Sequence, residues 1–153
     1  MQIKVKKIRQ LDIIEKELDS IASGVISLPL EEDFEQLATN FVYHNKNIYL
    51  FIQNKELYED LKFGSAAKFT AIKDSSFDKK GKKDKQDIYR LFYISVNGIL
   101  KKVDEKKLRD NIKQNFIQKY SGQLIEAEAK SKSFSKLVFI DSEELVATEE
   151  TGS

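Results

Sequence analysis

The sequence contains no cysteine and no tryptophan, and it has one histidine, one proline and one methionine. Without cysteine the chain forms no disulfide and offers no thiolate metal ligand and no cysteine nucleophile. A single histidine, His44, leaves no room for a zinc or iron site built on several imidazoles, and we expect no bound metal. These absences exclude several classes of enzyme, but they do not identify one.

Long apolar runs are also missing. No run approaches the ~20 residues that a membrane-spanning helix needs. The N-terminus, MQIKVKKIRQ, is basic, but the apolar region of a signal peptide does not follow it. We therefore expect a cytoplasmic protein without a membrane partner.

The remaining composition is typical of a globular protein, with 41% hydrophobic and 33% charged residues in a chain of 153. This length fits a single domain over residues 1–150, and residues 151–153 read as a disordered tail. Lysine and arginine total 26 against 25 acidic residues, so the net charge is +1. This balance indicates no nucleic-acid partner.

Catalytic motifs are absent from the sequence. The 6 glycines are scattered and match neither the dinucleotide fingerprint nor the nucleoside-triphosphate fingerprint. A serine could pair with His44, but a histidine in a polar turn is more often simply exposed. The carboxylate pairs, such as Glu59-Asp60, fall in turns or on solvated helix faces, which is not the apolar setting of a general acid. We therefore predict no specific catalytic residue.

The most informative stretch runs from Gln36 to Ile72. Alternating apolar and polar residues predict a strand over 37–43, and a second apolar run predicts its hairpin partner over 48–52. The polar residues 44–47 between them include two asparagines, which tolerate the positive φ of tight turns. A short helix over 55–62, closed by Gly64, and a third strand over 66–72 complete this unit.

Further elements flank this unit on both sides. An apolar stripe predicts a helix that starts at Leu11 and ends at Ser23-Gly24, followed by a strand over 25–28. A long apolar run predicts a strand over 88–96. Asp104 is the expected N-cap of a second amphipathic helix that ends at Ser121-Gly122, and the last strand is predicted over 137–140.

Two segments leave alternatives open. Asn97-Gly98 lies between apolar runs, which is typical of a hairpin turn, but a glycine inside one long strand can also mark a bulge. Residues 73–87 are rich in lysine and predict a long mobile loop. That loop is either solvated surface or a contact for an anion or a nucleic acid.

Six polar residues of the central unit are candidates for binding a ligand. Polar side chains inside strands need hydrogen-bond partners if they are buried. A bound phosphate or the edge of a flavin ring would supply these partners, and so would water or the side chains themselves. The candidates are Thr39, Asn40, Gln53, Asn54, Lys55 and Lys68.

The order of motifs resembles the FMN-binding split-barrel family of pyridoxamine-phosphate-oxidase-like proteins. The similar segments are a helix leading to GVISL, the paired strands ATNFVYHNKNIYLF, the helix and small-residue strand LYEDLKFGSAAKFTAI, the strand and helix YISVNGILKKVDEKKLRDNIKQNFIQKYSG, and the closing KLVFIDSEELVATE. The likeness covers residues 9–149 and rests on the ordered set of motifs. It favours the bulge at Asn97-Gly98, because the family's strand continues through that glycine.

This resemblance implies an α+β fold, a six-stranded antiparallel split β-barrel with flanking helices. It also implies a homodimer that binds FMN and acts as a flavin-linked oxidoreductase on a small-molecule substrate. The alternative is a non-catalytic protein that holds flavin or haem, or a degenerate member without a cofactor. The family usually holds the FMN phosphate with Lys or Arg in the first turn of the short helix, where this chain has Leu57, Tyr58 and Glu59. Lys55 and Lys68 are the expected substitutes.

Overall fold

The structure is a computed structural model that describes residues 2–78, 88–120 and 134–153. These residues form eight strands and three helices. In chain order they are β1 (Ile3–Ile8), α1 (Leu11–Ser20), β2 (Ser23–Pro29), β3 (Phe34–Asn40), β4 (Val42–His44), β5 (Asn47–Ile52), α2 (Lys55–Asp60), β6 (Ala66–Asp78), β7 (Ile88–Lys102), α3 (Lys106–Tyr120) and β8 (Lys136–Gly152).

All eight strands belong to one antiparallel sheet in the order β3-β2-β6-β7-β8-β5-β4, with β1 paired to β8. The first and last strands of this order, β3 and β4, are separated in the chain only by Phe41. The two ends of the sheet are therefore held together, and the sheet curls into a barrel-like shape. The α+β class is confirmed, whereas the expected count of six strands is wrong because the sheet also includes β1 and the separate strand β4.

Two apolar clusters fill this arrangement. The main core lies inside the curled sheet, where α1 buries Ile14 and Leu18 completely against residues such as Phe41 and Phe69. The second cluster lies outside the sheet, where Ile112 and Phe116 of α3 pack on Tyr49. The helix α3 thus covers the β4-β5-β8 side of the sheet, and this placement brings it beside α2.

Glycines decide two details that local sequence rules leave open. β7 runs without interruption through Asn97-Gly98 and its pairing with β8 shifts register there, which confirms the bulge. A Cβ on Gly98 would lie 2.2 Å from the carbonyl oxygen of Asp141, so only glycine allows the two strands to come this close. Ser23 and Gly24, expected to end α1, are instead the first residues of β2, where a Cβ on Gly24 would collide with Phe69.

The hairpin turn lies where it was predicted, whereas the bounds of two strands differ from the prediction. Asn45 and Lys46 both have positive φ, at 49° and 71°, so a tight turn joins β4 to β5 as predicted. The strand expected over 37–43 is broken at Phe41 into β3 and β4. The strand expected over 137–140 is β8, which continues to Gly152.

The chain ends and the lysine-rich segment show further differences. The disordered tail expected at 151–153 is wrong, because Thr151 and Gly152 pair with Lys4 and Ile3 of β1. The prediction of a mobile loop over 73–87 is wrong for its first part, because residues 73–78 belong to β6. The rest of that segment, 79–87, lies outside the described residues. The helix end expected at 121–122 lies outside them too.

The helices differ from the expectations in smaller ways. α3 begins at Lys106, so the residue before its first turn is Glu105, and the cap expected from Asp104 falls one residue early. α2 is shorter than the expected 55–62, because its C-cap Leu61 is already extended, and Gly64 lies beyond it with φ +87°. None of the helices in the described ranges is both long and apolar enough to span a membrane. The cytoplasmic location stays a prediction.

Candidate functional site

A cavity of about 460 Å³ opens between β3, the junction of β5 with α2, and α3. Polar groups on its wall come from the ends of two strands, Thr39 and Asn40 of β3 and Gln53 and Asn54 after β5. We call it the amide cavity, because three of these four residues carry side-chain amides. Its other lining residues are Leu37, Ala38, Phe51, Ile52, Leu57 and Phe116.

Local structure explains why these polar residues meet. β3 ends at Asn40, immediately before the chain crosses from one end of the sheet to the other at Phe41. β5 ends at Ile52, and Gln53-Asn54 lead directly into α2. Because the sheet is curled, the ends of β3 and β5 approach each other although they are far apart in the sheet order. The polar residues therefore come together where two strands stop.

Two of the four polar side chains are already engaged in local hydrogen bonds. The Asn54 side-chain oxygen accepts a hydrogen bond from the backbone N–H of Leu57 at 3.0 Å and so caps α2. The Thr39 hydroxyl donates to the carbonyl oxygen of Asn40 at 2.9 Å. Within the described ranges, the side-chain amides of Asn40 and Gln53 make no hydrogen bond. These two amides are the groups that a ligand could use.

The two lysines predicted for the site lie apart from this lining. Lys55 is the first residue of α2, follows Asn54 directly and is exposed. Lys68 lies on β6 and lines a different cavity, of about 220 Å³, with Asn97, Gly98 and Glu143. The expected meeting of Lys68 with Gln53, Asn54 and Lys55 is therefore wrong, because β6 joins the sheet between β2 and β7 and not beside β5.

Two aromatic residues of the cavity were not predicted from the sequence. Phe51 and Phe116 both line the amide cavity, and their ring centroids are 4.9 Å apart. Phe116 lies on α3, more than forty residues after Ile72, the last residue of the central unit. The helical spacing of its apolar residues indicates a packed face of α3, but no local signal indicates what that face covers.

The end of α3 also fixes the backbone beside Asn40. The Lys119 ammonium group lies 3.7 Å from the centroid of the Phe41 ring and donates to the carbonyl oxygens of Phe41 at 3.0 Å and Leu18 at 3.3 Å. Burial lowers the pKa of Lys119 to about 8, against an opposing effect of the Asp19 carboxylate. Lys119 is thus a structural cation that holds the β3–β4 break in place.

Two further cavities are lined by charged residues. The larger has a volume of about 640 Å³ and is lined by residues of β1, β6, β7 and β8. Its three basic residues are matched by three acidic ones: Lys4, Lys73 and Arg90, and Asp74, Glu149 and Glu150. Lys73 already pairs with Glu17 at 2.6 Å. The smaller, about 280 Å³, lies between β5, α2, α3 and the start of β8, and we call it the cationic cavity.

His44, the single histidine, packs at the end of β4. Its Nδ1 lies 3.4 Å from the side-chain nitrogen of Asn115 on α3, and its ring centroid is 6.2 Å from that of Tyr49. His44 lines none of these four cavities.

Comparisons with known proteins give structural neighbours only. No family model matches the chain, and no curated protein matches it in sequence. Among solved structures, it is similar to a protein of Bacteroides thetaiotaomicron provisionally named a 5-nitroimidazole antibiotic resistance protein, with a TM-score of 0.71, 10% identity, and coverage of 100% of this chain and 93% of that chain.

Two other solved structures carry names that mention a cofactor or an oxidase. One is the FAD and haem binding protein of Mycobacterium smegmatis, with a TM-score of 0.65, 11% identity, and coverage of 93% of this chain and 72% of that chain. The other is a Corynebacterium glutamicum protein provisionally named a pyridoxamine 5′-phosphate oxidase, with a TM-score of 0.57, 13% identity, and coverage of 95% and 98%. The chain therefore has the fold of the flavin-binding split-barrel proteins, as the order of its sequence motifs predicted.

Proposed function

We propose that the protein binds a flavin, FMN, with the flavin ring in the amide cavity. The observation that carries this proposal is the convergence of Thr39, Asn40, Gln53 and Asn54 on one cavity with otherwise apolar walls. Mostly apolar pockets with a few placed polar groups, of ~300–1,000 Å³, are typical of cofactor sites. Neighbours of the same fold that are named for FAD binding support a flavin.

The chemistry of the lining suits the two ends of an isoalloxazine ring. The apolar end of the ring would pack on Phe51 and Phe116, and the polar pyrimidine end would bond to the amides of Asn40 and Gln53. When bound, the flavin supplies the redox chemistry. The residues of the chain bind the ring, orient it and exclude water from one of its faces.

A phosphate group on the flavin would meet Lys55, the basic residue directly after Asn54. The helix α2 also carries Glu56 and Glu59, both exposed, which oppose an anion nearby. Leu57, Tyr58 and Glu59 occupy the positions where related proteins were expected to carry basic residues. We therefore propose that FMN binds more weakly here than it would with an arginine in that turn.

The proposed activity is that of a flavin-linked oxidoreductase with a small-molecule substrate. Among the residues that the structure describes, none with an ionisable side chain lines the amide cavity, which suits hydride transfer through the flavin without a protein acid or base. The second candidate is a non-catalytic flavin-binding protein with the same site. His44 is the only imidazole in the sequence, it contacts Asn115 of α3, and it lines none of the four cavities, so a haem-binding role is disfavoured.

A visible absorption spectrum of the purified protein, followed by titration with FMN and riboflavin, tests this proposal. We expect flavin bands or saturable quenching of flavin fluorescence. Gln53→Leu should weaken the binding of FMN and of riboflavin about fivefold or more, because it removes a hydrogen bond to the ring and keeps the size of the side chain. The matched control is Gln36→Leu, on the exposed part of β3 outside the cavity. No binding at saturating flavin, or equal binding by both variants, would overturn the placement.

A further inference from the structure

The cationic cavity is separate from the amide cavity, although Phe51 lines both. The amide cavity lies towards β3, whereas the cationic cavity lies towards the start of β8. Its other walls are the chain leaving β7, the first half of α3 and Tyr58 of α2. Its lining consists of Phe51, Tyr58, Val103, Asp104, Arg109, Lys113, Ser135, Lys136 and Leu137.

The charges of this lining are unbalanced. Arg109, Lys113 and Lys136 are basic and Asp104 alone is acidic, so the cavity carries a formal excess of two positive charges. No ion pair joins these three basic side chains to a carboxylate within the described ranges. The excess positive charge is therefore not neutralised by the described part of the chain.

The helix α3 makes this arrangement locally unfavourable. Arg109 and Lys113 are four residues apart on one face of α3, where like charges repel. The first turn of α3 contains no acidic residue, although the N-terminal end of a helix favours negative charge. Both side chains are half-buried rather than extended into solvent. A bound anion would relieve both effects at once.

Two buried polar atoms on this wall also lack a partner. The Arg109 Nε and the Ser135 Oγ have essentially no solvent exposure, and neither makes a hydrogen bond with any described residue. Both groups are hydrogen-bond donors, and buried donors without an acceptor are rare in folded proteins. An oxygen-rich anion has the acceptor atoms that these two donors need.

We propose that the cationic cavity binds an oxyanion group, phosphoryl or carboxylate, of a small molecule. The Arg109 guanidinium and the Ser135 hydroxyl donate hydrogen bonds to it, and Lys113 and Lys136 supply further positive charge. The rings of Phe51 and Tyr58 form an apolar wall beside the anion. At about 280 Å³, the cavity admits a small ligand and not a macromolecular chain.

The test is a titration with inorganic phosphate, followed by nuclear magnetic resonance of the Arg109 Nε–H group and the backbone amides of Ser135 and Leu137. We expect saturable shifts of these signals. Arg109→Gln should weaken phosphate binding about tenfold or more, because it removes a charge-assisted bond. Lys106→Gln is the matched control, since it removes the same charge from an exposed position of α3 outside the cavity. It should change binding less than about twofold.

Ser135→Ala is a second variant that keeps every charge, and we expect it to weaken phosphate binding about threefold to fivefold. Thermal unfolding of each variant checks that the fold is intact. Shifts that rise linearly with phosphate without saturating, or equal binding by wild type, Arg109→Gln and Lys106→Gln, would overturn the site.

Two further arms identify the source of the oxyanion. If Arg109→Gln weakens FMN but not riboflavin, the site holds the phosphate of the flavin. If phosphate and FMN bind together without competition, the oxyanion belongs to a second molecule, such as the substrate. The phosphate titration does not depend on flavin binding, so failure of the proposed function would leave this test intact.

Discussion

The Tyr120 hydroxyl is hydrogen-bonded to the backbone of Phe41. Tyr120 is the last residue of α3, and Phe41 lies at the break between β3 and β4. The Tyr120 oxygen accepts a hydrogen bond from the Phe41 N–H at 3.1 Å. Its own proton points to the carbonyl oxygen of Ala22 at 2.6 Å or of Phe41 at 2.9 Å. One side chain thus ties α3 to the point where the sheet closes, and it stands beside the amide cavity.

Tyr120→Phe should therefore destabilise the protein. The change leaves the Phe41 N–H without its acceptor in a partly buried place, which costs about 1–3 kcal/mol in the free energy of unfolding. Urea denaturation measures this loss. Tyr93→Phe is the matched control, because Tyr93 lies half-exposed on β7 and its hydroxyl makes no hydrogen bond with the described residues. A similar loss in both variants would show that the Phe41 contact is not the cause.

Lys119 should make stability depend on pH. Its pKa is lowered from the ordinary 10.5 to about 8, mainly by burial. Between these values the unfolded chain binds more protons than the folded chain, so the free energy of unfolding should rise as the pH increases from 8 towards 10. Because the ammonium group is only partly buried, solvent screening limits the gain to about 1 kcal/mol.

Lys119→Met isolates this effect. Denaturant unfolding of wild type and variant at several pH values from about 6 to 10 should give a difference that is flat below about pH 7 and changes between the folded pKa of about 8 and the unfolded pKa of 10.5. Parallel curves across the whole range would contradict the assignment. The window lies below the titration of Tyr43, whose pKa is raised to about 12 by burial and by the neighbouring Glu15 carboxylate.

Lys55 should contribute to binding the phosphate of FMN. Lys55→Glu replaces an attraction with a repulsion, and we expect FMN binding to weaken about tenfold or more with riboflavin binding unchanged. Quenching of flavin fluorescence gives both affinities. Lys62→Glu makes the same charge change at an exposed residue beyond α2, and it should leave both flavins nearly unaffected. An equal loss for the two flavins would place the phosphate elsewhere.

The homodimer stays a proposal, and the structure suggests which surface to test. The aromatic residues Phe41 and Tyr49 are 0% and 3% exposed within the chain, so neither ring is free to cover a partner. The outer face of the sheet instead presents Val5 and Ile72, at 56% and 55% exposure. Strand register places Ile3 and Phe77 on the same face, which is typical of a surface that packs on another protein.

Light scattering at micromolar concentration should therefore give about twice the chain mass of 17.7 kDa. Val5→Lys together with Ile72→Lys should shift the mass towards the monomer, because a lysine cannot be buried unpaired without a large cost. Ile13→Lys, on the exposed side of α1, is the control. A monomeric wild type would contradict the homodimer. A dimer whose mass the double change does not alter would show that the interface lies on another face of the protein.

The sequence by itself determined the paired strands around the tight turn at Asn45-Lys46, and it indicated Thr39, Asn40, Gln53 and Asn54 as polar candidates. These features depend on neighbours along the chain: alternation of apolar residues, backbone preferences at a turn, and polar residues where a strand stops. The split-barrel fold was predicted only through the resemblance of the ordered motifs to a known family, and not through any rule about residues that are neighbours in the chain.

Only the tertiary structure decided which distant residues share a site. It separated Lys68 from Gln53 and Asn54, because strand order and not sequence distance sets which strands are neighbours. It brought Phe116 to the amide cavity and set Arg109 and Lys113 beside Ser135 and Lys136. It also made Gly24 a point of close packing against Phe69 rather than the end of a helix. Contacts between residues far apart in the chain leave no periodic signal, so no local rule could have found them.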